Sequence, residues 1–232
     1  RYYYLALAEA TQQTPSAFQS RWNCDGHFWV WTYEQNKSPA QFHRLIERIR
    51  SGHISVPLNP LAVVLGGAPA EAVIRSAYYP GHLERRFGLR FPLAYAMEDQ
   101  TLPYGLGALW AGCGARYSWK GICACASRLP ALGKAWRPRE IYHWTGPDGS
   151  RLLLKSNSLT DQNKAMGGYA EAYDPSGVVD YVDADPEFAR HYPYPVIGAF
   201  GKGWDDLKTL TAEFISVATN KSNPQRRVIV SN

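Results

Sequence analysis

Strand-like and helix-like patterns alternate five times in the first half of this chain, with Gly or Pro at most junctions. That rhythm constrains the fold more than any other feature. Strands joined by helical crossovers pair in parallel, and the helices cover the sheet. The best-marked unit is SPAQFHRLIERIRSG (38–52), with Ser38 as N-cap, Pro39 at the first helical position and Gly52 as the stop. Phe42, Leu45, Ile46 and Ile49 recur along it at helical spacing.

The flanking segments continue the alternation. Residues 1–13 read as a helix with Tyr4, Leu5, Leu7 and Ala8 on one broad apolar side, and FQSRWNC (18–24) as a strand. HISVPLN (53–59) reads as a strand and APAEAVIRSAYYPGHLERRFG (68–88) as a helix interrupted at Pro80–Gly81. RFPLAYAME (90–98) is a strand, GLGALWAGCG (105–114) a short helix and ARYSW (115–119) a strand.

The second half is less regular. EIYHWTGPDGSRLLLKSN (140–157) predicts a hairpin turning at Pro147-Asp148-Gly149. Residues 160–195, rich in Gly, Asp, Tyr and Pro, read as a long cleft-building loop with a weak helix around 184–192. PVIGAFGKGWDD (195–206) predicts a strand, 207–219 a helix and RRVIVSN (226–232) a terminal strand. The 232 residues suit one α/β domain spanning 1–232. A chain that opens on a helix and stops on a strand reads as an internal fragment, truncated at both ends.

Composition narrows the function. The net charge of +5 comes from basic residues scattered singly or in pairs such as Arg85–Arg86 and Arg226–Arg227. No stripe tracks a phosphate backbone, which argues against nucleic acid as a partner. No run of 18 apolar residues is present, which argues against a membrane-spanning helix. Export and a homo-oligomeric assembly stay open. The 8 Trp and 15 Tyr suit sugar stacking as well as core filling. Cys24, Cys113, Cys123 and Cys125 lack zinc-ribbon spacing, and Cys123-Ala-Cys125 is too close for the usual metal clip, so buried free thiols are expected.

In parallel α/β folds, chemistry sits where strands end. Those ends are Cys24–Asp25, Asn59, Glu98–Asp99 and, in the second half, Asp205–Asp206. Two carboxylates across a cleft are the minimum for glycoside hydrolysis, held roughly 5–5.5 Å apart in a retaining enzyme. Only one of the neighbours Glu98 and Asp99 can face that cleft from a strand. The same acids also suit helix caps, and Asp206 stands where one for 207–219 would be. Trp22 and Trp204 beside these acids favour sugar binding. Asp25-Gly-His27 is compatible with a metal chelate and equally with an ordinary polar loop histidine.

The order RWNCD, RLIERIRSGHISVPLN, ERRFGLRFPLAYAMEDQTLPYGLGALWAGCGARYSW resembles the N-terminal catalytic domain of glycoside hydrolase family 38, nearest its divergent bacterial branch. The likeness spans residues 1 to about 155 and, more loosely, 193–232. It implies a retaining α-mannosidase acting on a saccharide, an incomplete seven-stranded (β/α) barrel of mainly parallel strands, and a zinc cofactor bound to the sugar hydroxyls. GWDDL (203–207) resembles the family's acid/base segment, which maps that role onto Asp206, next to Asp205.

An ungapped match puts Glu98 under the nucleophile and metal ligand, whereas residue type favours Asp99. The Gln100-Thr101-Leu102-Pro103 tail departs from the family's Asp–Pro–Phe–Gly or Asp–Val–Pro–Gly. Asp25, Trp22, His27, Asn59 and Trp204 are the expected substrate-binding residues. The family's remaining zinc ligands would fall upstream of Arg1 and beyond Asn232. A repurposed, non-catalytic sugar-binding domain is the alternative. A zinc-dependent carbohydrate deacetylase is a more distant one, and it lacks a visible histidine pair.

Overall fold

The structure is a computed structural model that describes residues 2–12, 14–61, 65, 67–96, 102–120, 141–156, 175–184, 193–198 and 211–232. Helix α1 (Tyr2–Ala10) buries Leu5 and Ala8 and leads through a 3-10 turn (Ser16–Phe18) to strand β1 (Trp22–Asn23). Helices α2 (Phe28–Asn36) and α3 (Pro39–Arg50) follow, then strand β2 (Ile54–Ser55). In α3 the expected start forms as a reciprocal capping box. Ser38 Oγ accepts the Gln41 N–H at 3.3 Å, and Gln41 Oε1 accepts the Ser38 N–H at 3.1 Å. Phe42, Leu45 and Ile46 are buried, and Gly52 takes the left-handed φ of 74° that ends the unit.

Helices α4 (Ala70–Ser76) and α5 (Tyr78–Phe87) replace the single interrupted helix. The break falls at Ala77, three residues before the Pro80–Gly81 expected to cause it. Pro80 lies in the first turn of α5, where an absent N–H is tolerated, and it prevents the i→i−4 bond to Ser76 that a continuous helix would need. Strand β3 (Leu93–Tyr95), helix α6 (Leu106–Gly112) and strand β4 (Tyr117–Lys120) complete the first half.

The hairpin forms as its sequence predicts. Strands β5 (Ile141–Thr145) and β6 (Arg151–Ser156) pair antiparallel, and Gly149 turns the chain at φ 81°. Strand β6 then pairs in parallel with β4, and β4 in parallel with β3, giving the order β3-β4-β6-β5. Strands β1 and β2 form a second parallel pair, with Trp22 opposite Ile54. A backbone bond from Leu58 N–H to the Leu93 carbonyl, 2.8 Å, carries the β2 segment onto β3. The result is a mixed α/β fold with parallel strands that, among the described residues, does not close into a barrel.

One core runs through these layers: Ile54, Val56, Leu58, Ala94, Ala96 and Leu152 from the strand segments against Val30, Phe42, Ile46, Val73, Leu83 and Trp110 from the helices. This is how parallel sheets bury both their backbone and their apolar side chains.

Other expectations give way. The strands over 18–24 and 53–59 shorten to Trp22–Asn23 and Ile54–Ser55, because their flanks bond as turns and single bridges instead of ladders. The terminal segment 226–232 is no sheet strand. After α8 (Thr211–Lys221), Asn223 Oδ1 accepts the N–H groups of Gln225 and Arg226, both at 2.9 Å, and this turn sends the chain back to the 3-10 turn at Ser16–Phe18. There Val230 N–H meets the Ala17 carbonyl at 2.9 Å. Residues 195–198, expected to open a strand, are exposed and form no ladder, while 199–206 lie outside the described residues. The weak helix expected at 184–192 also lies mostly outside them. A helix α7 (Pro175–Ala184) precedes that segment, with Pro175 as its start signal. It packs against α8, with Lys221 Nζ 2.6 Å from Asp180 Oδ1.

Candidate functional site

The parallel strands place the segments after β1, β2 and β3 at one rim, and those after β1 and β2 are stitched together. Trp22 N–H bonds the His53 carbonyl and Cys24 N–H the Ser55 carbonyl, each at 2.9 Å. Beyond the strands, His27 N–H bonds the Asn59 carbonyl and Phe28 N–H the Pro60 carbonyl, again at 2.9 Å. Gly26 makes this closure feasible: a Cβ there would stand 2.1 Å from the Pro60 oxygen. Cys24 is a buried free thiol, as its spacing predicts, and donates to the Gly26 carbonyl at 2.9 Å. Cys113 is also free, while Cys123 and Cys125 lie outside the described residues.

Asn59 joins a third element. It is 3% exposed, and its Oδ1 accepts the Tyr95 N–H of β3 at 2.6 Å. One residue, through its backbone carbonyl and its side chain, therefore links the segments that follow β1 and β2 to the end of β3. The Asn59 Nδ2 makes no hydrogen bond among the described residues, so a donor remains available at the rim. Ala96, just past β3, bonds the Trp119 carbonyl at 3.0 Å. The chain then enters the segment holding Glu98 and Asp99, which lies outside the described residues. Trp204, Asp205 and Asp206 also lie outside them.

Asp25 and His27 take different partners. The exposed Asp25 carboxylate accepts the indole N–H of Trp29. His27, 6% exposed, holds its Nε2 2.9 Å from the Ser76 carbonyl, which can only accept, so Nε2 carries the proton. Burial lowers the His27 pKa below 6.5 and keeps the ring neutral. Its ring lies 5.6 Å from that of Tyr79. Among the described residues, no three of His, Cys, Asp and Glu come together to hold a metal ion, and Glu98, the zinc ligand the resemblance implies for this chain, lies outside them. Trp22 is half-buried against the core.

Helix α2 has no periodic apolar face in the sequence. Its first turn, Phe28-Trp29-Val30-Trp31, directly follows Asp25-Gly-His27 and places three aromatic rings beside the rim. Val30 is buried, whereas Phe28 and Trp31 are 37% and 44% exposed and stack at 5.7 Å with 27° between planes. The signal was an aromatic run directly after a polar strand end; it was missed because FWVW has no helical periodicity.

No family model matches the chain, and no curated protein matches it in sequence. Solved structures do match in fold. An α-mannosidase from Enterococcus faecalis V583 superposes with a TM-score of 0.67 at 11% identity, covering 99% of this chain and 25% of that one. The 4-α-glucanotransferase of Thermococcus litoralis gives 0.60 at 13% identity over 98% of this chain and 34% of its own. A glycosyl hydrolase family 38 protein from Enterococcus faecalis gives 0.53 at 11% over 100% of this chain and 24% of its own.

The chain thus has the fold of a class of carbohydrate-active enzymes. It spans about a quarter to a third of the length of each of these proteins.

Proposed function

We propose that this chain forms part of a retaining, α-mannosidase-like glycosidase of the seven-stranded incomplete-barrel type. The observation that carries the reading is the fold shared with an α-mannosidase along 99% of the chain, with Glu98 and Asp99 following the parallel strand β3 in the sequence. Glu98, or Asp99 in its stead, is the nucleophile, and Asp206 the acid/base.

The chemistry follows from these roles. Asp206, protonated, gives its proton to the glycosidic oxygen as the bond to the anomeric carbon breaks, while the nucleophile's carboxylate bonds that carbon from the other face. The ionised Asp206 then takes a proton from water, which displaces the carboxylate and regenerates both groups. Asp206 needs a raised pKa to hold its proton near neutrality. Asn59, Asp25, Trp22, His27 and Trp204 belong to the saccharide-binding surroundings, with His27 acting through the loop it anchors. Zinc, with Glu98 as its ligand in this chain, is part of the proposal through the resemblance alone.

The test is Asp206→Asn in the whole protein. Hydrolysis of substrates with poor leaving groups should collapse, while activated aryl mannosides, which need no protonation, should lose far less. Equal loss on both would remove Asp206 from the acid/base role. The Gln100–Pro103 tail favours a second reading, a saccharide-binding domain without turnover. Tight binding of saccharide with no hydrolysis, with and without added zinc, would support it.

A further inference from the structure

We propose that the first turn of α2 is a saccharide-binding platform, built from Phe28, Trp29, Trp31 and the Asp25 carboxylate, that holds a sugar unit of an oligosaccharide at the rim. The inference rests on the carbohydrate reading above and adds a subsite to it.

Single exposed apolar side chains are ordinary. This group differs in being contiguous, oriented and held. Phe28 and Trp31 share one side of α2 and stack at 5.7 Å, while Trp29 meets Phe28 edge-on at 5.5 Å and 64°. Val30 in the same turn and His27 just before it are buried, so the turn cannot rotate without exposing them. The start of the helix is pinned by the His27 and Phe28 N–H bonds to Asn59 and Pro60. Asp25 fixes the Trp29 indole through its N–H.

The chemistry of the group selects its occupant. An aromatic face is electron-rich and attracts the polarised C–H bonds on one face of a pyranose. The neighbouring carboxylate can accept a hydroxyl, and its charge disfavours a phosphate-bearing ligand. Rings held before the ligand arrives lose little freedom on binding. The platform directly follows β1, beside the rim that Asn59 helps assemble, so a chain bound at the rim can extend onto it.

The test measures binding of mannose and of linear mannotetraose to the whole protein by calorimetry. Trp31→Ala and Phe28→Ala should each weaken mannotetraose binding about fivefold or more. Trp31→Tyr, which keeps a ring, should recover most of it. Tyr78→Ala, at an exposed ring on α5, should have no effect. Unchanged mannotetraose affinity in Trp31→Ala overturns the platform, as does a wild-type protein that binds no mannotetraose. Hydrolysis of an aryl mannoside by the wild type reports the catalytic reading separately. If that hydrolysis is absent while Trp31→Ala still loses mannotetraose, the platform stands and the glycosidase reading falls. If it is present and the affinities are unchanged, the platform alone falls.

Discussion

The His27 Nε2–H donates to the Ser76 carbonyl at 2.9 Å, and this is the acceptor that Pro80, lacking an N–H, leaves vacant four residues on. A proline in α5 is thus matched by a histidine at the start of α2, and the β1–α2 loop is anchored to the outer helices. His27→Phe keeps the ring but strips the donor, leaving a half-buried carbonyl without its partner. The expected loss is about 1–3 kcal/mol by urea denaturation. In a Pro80→Ala background the backbone can supply an N–H to Ser76, so the same substitution should cost less. Additive costs in that double-mutant cycle would disprove the coupling.

Asn59 offers a second case in which a side chain replaces a ladder bond. Its Oδ1 takes the Tyr95 N–H at 2.6 Å where β2 has already ended. Asn59→Leu preserves the bulk and orphans that N–H at a site only 3% exposed. Stability should fall by about 1–3 kcal/mol. A loss under about 0.5 kcal/mol would mean that the amide is held for ligand contact alone.

These two contacts mark where the sequence could be read and where it could not. Elements with a periodic apolar face and end signals were legible: α3 through Ser38, Pro39 and Gly52, and the β5–β6 hairpin through Pro147-Asp148-Gly149. Helix α2 was not, because aromatic and β-branched residues fill both its sides. Pro80 was read as a helix break at its own position, whereas its effect appears upstream at Ala77. The terminal RRVIVSN looks like a strand by composition, but pairing is a tertiary property, and the Asn223 turn directs it elsewhere. The same limit applies to Asn59. Its place at a strand end was visible, but its bond to Tyr95, 36 residues on, was not.

Gly26 and Gly112 should respond oppositely to alanine. At Gly26 a Cβ would stand 2.1 Å from the Pro60 oxygen, so the loops after β1 and β2 must separate. Gly26→Ala should cost about 1–3 kcal/mol and weaken any saccharide binding that depends on the rim. At Gly112, the last residue of α6, nothing among the described residues lies within 4 Å of the added methyl. Gly112→Ala should therefore stabilise the protein by about 0.4–1 kcal/mol. Thermal melts of the two variants should move in opposite directions.

Acid should destabilise the fold through His27 and His53. Burial lowers the His27 pKa below its ordinary 6.5. For His53, burial followed by the nearby Arg21 and Arg48 charges does the same. With both folded values depressed, the unfolded chain binds more protons than the native one in the window between the folded values and 6.5. Stability is therefore complete above that window and declines as the pH falls through it. His27→Gln can keep an N–H for the Ser76 carbonyl while removing the titration. Its urea midpoint should depend less steeply on pH between about 5 and 7 than that of the wild type, with the remaining slope owed to His53. An unchanged slope would show that the His27 ring does not need to stay neutral in the folded protein.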